Sequence, residues 1–191
     1  MEKGRLEAFT DGVVAIIITI MVLEMRVPAG ASLSALAADA PVLGAYALSF
    51  ANVGIFWNNH HHMLQATRKI DGRTLWANLF LLFWLSLMPF AIRWMDEADF
   101  QALPTASYGV VLAMCAVGYT LLQRAIIAAD PANARLAQAV GADRKAKLSF
   151  ALYVAAVPLA FVRPWIAIVL YVVVAAMWFT PDRRIESRLK A

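Results

Sequence analysis

All three histidines of this chain stand in one run, His60-His61-His62, directly after Phe56-Trp57-Asn58-Asn59. An imidazole can ligate a metal, pass a proton or hold a hydrogen bond. The run is poorly built for a metal. Successive helical residues point about 100° apart, so three in a row cannot all face one ion. Cys115 is the only cysteine, which excludes a thiolate cage and an internal disulfide. Two chemistries remain: a proton relay, or a hydrogen-bonded network that ties helices together. The carboxylate either would need is Asp11, inside the stretch RLEAFTDGVVAIIITIMVLEMRV at residues 5–27.

That stretch is long enough to cross a bilayer as a helix. A carboxylate at the centre of a spanning helix costs ~2.5–3.5 kcal/mol on insertion scales, less near the interface, so Asp11 needs a partner. Asp11 lies six residues past Arg5, and His61 lies seven before Arg68. At about 1.5 Å per residue these groups match in depth to within a turn. Trp76 and Asn78 open a third apolar segment at the same level. Buried polar groups require partners. The economical expectation is one network joining Arg5, Thr10, Asp11, a histidine and Asn78.

The elements that position these residues are membrane helices. The chain has 191 residues, of which 62% are hydrophobic and 16% charged, and its mean hydropathy is +0.65. That is too apolar for a soluble domain of this size. Spans of roughly 20 apolar residues are expected near 6–26, 41–63, 75–95, 105–127, 147–162 and 165–180. The last two are short and separated by Arg163-Pro164, which suggests a tight hairpin, and Pro158 is placed to kink the fifth. No A-x-A-like site closes the first segment, so no cleavable signal peptide is expected. The fold class is therefore all-α: one polytopic domain over 1–191, with six transmembrane helices. With the N-terminus inside, fourteen Lys and Arg fall on inner segments and three, Arg26, Arg93 and Arg163, on outer ones. The positive-inside rule then puts both termini in the cytoplasm of a multi-pass protein of the cell membrane. The basic RRIESRLK tail reads as a topology anchor, not a nucleic-acid site. The Asp96-Glu97-Asp99 cluster is expected outside, where charge carries no penalty, and the loop near 128–146 is expected to be partly helical.

Helix one carries a second pattern. With Ile16 as reference on a helical wheel, Gly12, Thr19, Ile20 and Leu23 all fall within about 60° of it. Asp11 falls about 140° away, so it can anchor the helix from another side. Arg5 lies close to the stripe. An apolar stripe of this kind suits lipid, core or a pore, and periodicity does not choose among them. The spans hold no TVGYG-like carbonyl filter and no acidic ring.

The run Arg5-x-x-x-Phe9-Thr10-Asp11-Gly12, followed by Ala15-Ile16 and Thr19, closely resembles the RxxxFSD signature of the lysosomal potassium channel family known as transmembrane protein 175, in its bacterial branch. Gly54-Ile55-Phe56-Trp57-x-x-His60-His61 is similar to that family's second helix, and Asn78-Leu79 with Leu87, Pro89 and Phe90 to its third. The resemblance covers about the first ninety residues. Thr10 stands where the family usually has Ser and keeps the hydroxyl. The resemblance implies a homotetramer in the bilayer, with four copies of helix one around a central pore. Ile16 takes the place of the narrowest layer, Ile20 and Leu23 lie beyond it, and Thr19 takes the place of the hydroxyl layer linked to potassium preference. Arg5, Phe9, Thr10 and Asp11 take the place of a packing network with Trp57, His60, His61 and Asn78. Potassium is the implied permeant ion, with modest discrimination against sodium. No cofactor, metal or nucleic acid is implied.

Two other classes compete. A proton-coupled transporter would use Asp11 and the histidines as a relay, but paired repeats and matching broken helices are not apparent. An enzyme is disfavoured because no nucleophile and base stand together.

Overall fold

The computed structural model describes residues 3–133 and 144–179, and every regular element among them is helical. In chain order these are α1 (Lys3–Leu23), α2 (Leu33–Ala38), α3 (Ala40–Gln65), α4 (Gly72–Ser86), α5 (Met88–Glu97), α6 (Ala102–Ala129), α7 (Arg144–Val162) and α8 (Pro164–Phe179). Among the described residues, five helical stretches are long and apolar enough to cross a membrane: Lys3–Leu23, Ala40–Gln65, Gly72–Glu97, Ala102–Ala129 and Lys145–Val162. The stretch Pro164–Phe179 is apolar but shorter. The expected partial helix at 128–146 falls largely on residues outside those described, as do the tail cations Arg183, Arg184, Arg188 and Lys190.

Caps explain several boundaries. The Asp71 carboxylate accepts from the Thr74 amide at 2.9 Å and from the Thr74 hydroxyl at 2.9 Å, which starts α4. Asp39 precedes α3, where Pro41 occupies the first turn and its missing N–H costs nothing. The third span, expected as one helix, is interrupted at Leu87. Pro89 cannot donate to the carbonyl four residues back. Leu87 N–H instead reaches Trp84 O at 3.2 Å, and Ser86 Oγ donates to Phe83 O at 2.7 Å. Leu87 keeps a right-handed helical backbone, φ −82 and ψ −8, so the span tightens there without unwinding. Pro158 lies inside α7 without ending it. Arg163 alone separates α7 from α8. The two run antiparallel, with Trp178 Nε1 donating to Ser149 Oγ at 2.8 Å.

The core is built around α6, which packs on α4, α5, α7 and α8. Its Tyr108, Leu112, Cys115, Leu122 and Ile126 are fully buried. Gly118 lets α4 come close, since a Cβ there would stand 2.9 Å from Leu81 Cα. Buried hydroxyls and amides knit the body. Ser49 Oγ and Tyr108 OH are 2.8 Å apart, Tyr153 OH donates to Asn52 Oδ1 at 3.4 Å, and Tyr171 OH donates to Thr105 O at 3.0 Å. By contrast α1 packs on α3, α4 and α5 at one side of this body.

Candidate functional site

Helix α1 is divided lengthwise. Leu6, Thr10, Val14, Ile17 and Met21 are buried, the i, i+3, i+4 pattern of a packed face. The opposite side is open. Ile16 is 58% exposed and Leu23 80%, with Phe9 and Ile20 also exposed. Gly12, Ala15 and Thr19 share that open side. The stripe expected from the wheel, Gly12, Ile16, Thr19, Ile20 and Leu23, therefore lies wholly on the uncovered side. That side is wider than the stripe and extends to Asp11 and Val22. Thr19 Oγ1 donates to Ile16 O at 2.9 Å. Its proton is used within the helix, and its lone pairs stay available.

The polar residues near the start of α1 form two separate contacts where one network was expected. The first is buried. Asn78 Nδ2 donates to Thr10 Oγ1 at 3.0 Å, and Asn78 Oδ1 stands 2.8 Å from His60 Nε2. Thr10, His60 and Asn78 are all nearly inaccessible. One amide thus joins α1, α4 and α3 through both of its ends. With the amide oxygen toward the ring, His60 carries its proton on Nε2. The second contact is exposed. Trp57 Nε1 donates to Asp11 Oδ1 at 2.8 Å, and the Trp57 ring stacks on His61 with centroids 5.8 Å apart. His61 Nε2 is 2.8 Å from Gln65 Nε2. The buried anchor of α1 is thus the Thr10 hydroxyl, and Asp11 holds a surface tryptophan. Arg5 is exposed and has no hydrogen-bond or ion-pair partner among the described residues. Phe9 is exposed beside it.

At the other end of α1 the structure holds contacts that the sequence reading overlooked. Arg26 donates to both carboxylate oxygens of Asp96 through one edge of its guanidinium, Nε to Oδ2 at 3.1 Å and an Nη to Oδ1 at 2.7 Å. Asp96 is buried and so does not belong to the free outer cluster expected for residues 96–99. Its hydrogen bond, then its charge, raises the Arg26 guanidinium above its ordinary range. Arg93 is ion-paired to Glu24 and donates to Glu97 Oε1 at 2.9 Å. The missed signal was opposite charge at matching depth, Glu24 and Arg26 on one span against Arg93 and Asp96 on another. A groove of about 730 Å³ runs between α1 and α5, with Ile16, Ile17 and Ile20 on one wall and Phe90, Arg93 and Trp94 on the other.

Comparison with known proteins places this architecture. Residues 5–89 match the model of a family described as "Endosomal/lysosomal potassium channel TMEM175". A potassium channel of Chryseobacterium sp. (strain P1-3) is 50% identical over 190 residues, covering 100% of this chain and 99% of that protein. The endosomal/lysosomal proton channel TMEM175 of Rattus norvegicus is 31% identical over 129 residues, 61% of this chain but 26% of the rat protein. Among solved structures, the lysosomal potassium-selective channel TMEM175 homolog from Chamaesiphon minutus superposes with a TM-score of 0.77 at 27% identity, covering 93% of this chain and 96% of that one. With five helical stretches among the described residues long and apolar enough to span a bilayer, the chain is a multi-pass membrane protein, and it belongs to the TMEM175 family.

Proposed function

We propose that the protein is a potassium-permeable channel of the bacterial inner membrane, formed by four copies of the chain around the open side of α1. The carrying observation is the lengthwise division of α1. Ile16 and Leu23 are more than half exposed, while Ile17 and Met21 are 3% and 1% exposed on the other side. In this reading each subunit has six spans, with both termini in the cytoplasm. Residues 1–191 form one channel domain. Four Ile16 side chains meet on the axis as the principal constriction, with Ile20 and Leu23 beyond and Thr19 between them. The names of the bacterial relatives support potassium as the permeant ion.

The selectivity follows from hydration. An apolar ring narrows the path and gates it by dewetting. An ion crossing it sheds water, and potassium holds its shell less tightly than sodium. The Thr19 oxygen, its proton held by Ile16 O, faces the path as an acceptor for a partly stripped cation. One hydroxyl per subunit coordinates less completely than a carbonyl filter, so the preference for potassium is modest. No chemical step and no cofactor is needed.

A proton-coupled relay from Asp11 to the buried histidine draws no support from the geometry. Trp57 contacts Asp11, and an indole N–H only donates. His60 lies in the separate contact with Asn78. The deciding experiment is reconstitution of the full chain in planar bilayers with potassium and sodium on opposite sides. Unitary currents with a reversal potential favouring potassium are expected. Flux that saturates and requires a pH gradient would replace this reading with the transporter.

A further inference from the structure

Helix α1 is held at both ends by different chemistry. Near its start, the neutral Thr10–Asn78–His60 chain anchors it to α4 and α3. Past its end, both charged residues of the Glu24-Met25-Arg26 segment are tied to α5. The Arg26–Asp96 pair is bidentate, a geometry that fixes orientation as well as distance. Asp96 presents only 7% of its side chain to the surroundings. Stripping a buried carboxylate of its partner is costly, so this contact is held firmly. Arg93 bridges Glu24 to Glu97 and lies on the wall of the groove that Ile16 and Ile20 also line. Glu24 directly follows Leu23, the most exposed residue of the apolar stripe.

We infer that the Arg26–Asp96 and Glu24–Arg93–Glu97 contacts clamp the Leu23 end of α1 to α5 and so set the width of the ion path at Leu23. Arg26, Asp96, Glu24 and Arg93 are positioning residues for permeation. The inference rests on α1 being the pore-lining helix. Glu24 and Leu23 differ by about 100° around α1, so α5 pulls this end from beside the stripe and not along it. Releasing the pull lets Leu23 relax toward the axis and narrows the passage, while the Ile16 layer stays fixed by the core on either side of it.

The test uses the full chain in planar bilayers. Arg26→Asp and Asp96→Arg each lower open probability about tenfold, the size that a coupling of about 1.4 kcal/mol between clamp and path gives. The double swap, Arg26→Asp with Asp96→Arg, restores it to within about twofold of wild type. Assembled single variants that gate like wild type overturn the clamp, as does a double swap no better than either single. Glu24→Gln serves if the single swaps do not assemble. It alters a half-exposed pair, and unchanged gating there is also fatal to the clamp. A readout independent of current is the rate at which a water-soluble thiosulfonate modifies Leu23→Cys. Adding Arg26→Gln slows that rate, and an unchanged rate overturns the proposal. Cys115 is fully buried and does not compete. A wild-type protein that passes no potassium would instead remove the channel reading on which the clamp rests.

Discussion

The body around α6 and the helix α1 solve opposite problems. Around α6, an apolar core is buried and the hydroxyls within it find partners in the same chain, as Tyr108 does with Ser49. Along α1 only half the circumference is covered, and the open half is neither polar nor uniformly bulky. It carries Gly12, Ala15 and Thr19 between Ile16, Ile20 and Leu23. In the proposed channel, the open half of α1 meets its counterpart in the other subunits.

The difference is sharpest between neighbours. Ile17→Asn places an amide in the core of the body, and the lost packing and unpaired polar group together cost about 3 kcal/mol or more. Loss of assembled protein in detergent is expected. Ile16→Asn, one residue earlier, is expected to assemble. It is expected to wet the proposed constriction, raise unitary conductance and weaken the preference for potassium. Equal loss of assembly from both would dissolve the distinction between the two sides.

The body has its own weak point. Gly118→Val would push against the Leu81 backbone, and overpacking of this type costs about 2 kcal/mol. The expected readout is a lowered thermal midpoint with unaltered selectivity in the channels that remain. A changed reversal potential would mean that body and α1 are less separable than the packing suggests. Thr19→Ala is the reverse case: stability unchanged, and the bi-ionic reversal potential moved toward equal permeation.

The smallest effect belongs to the α4 cap. The Thr74 backbone amide, then its hydroxyl, hold the Asp71 carboxyl below its ordinary value of 3.8. A depressed carboxylate stabilises the fold above that ordinary value, and the contribution disappears as pH falls through the folded one. A lower hydrogen-exchange protection factor at the start of α4 is therefore expected on acidification below 3.8, with protection in α6 unaffected. Unchanged protection there would show that the cap contributes little.

The helices were legible because membrane spans declare themselves by length and hydropathy. The α1 stripe was legible because a helix repeats faithfully over seven residues. Contacts between helices were harder to read. Depth along the membrane put Thr10, Asn78 and an unspecified histidine at one level, but depth says nothing about which histidine takes part or which way a ring or carboxylate turns. The family resemblance placed Asp11 and Trp57 in one network, and they do meet, but the reading by depth joined Asp11 to Arg5, Thr10, a histidine and Asn78 and did not name the indole as its donor. Charge counting for topology hid the Arg26–Asp96 pair, because a tally by side of the membrane does not ask which charges meet. The break at Leu87 was readable from the missing N–H of Pro89, a residue that entered the sequence analysis only as part of a family resemblance.

The single-residue link at Arg163 bears on how the protein is made. Helix α8 has 16 residues, a length of about 24 Å, short of a hydrocarbon core of about 30 Å. Alone it is a weak candidate for insertion. Joined to α7 through Arg163, and bonded back to it from Trp178 to Ser149, it is better placed to enter a bilayer as half of a pair. The translocon would then release α7 and α8 together.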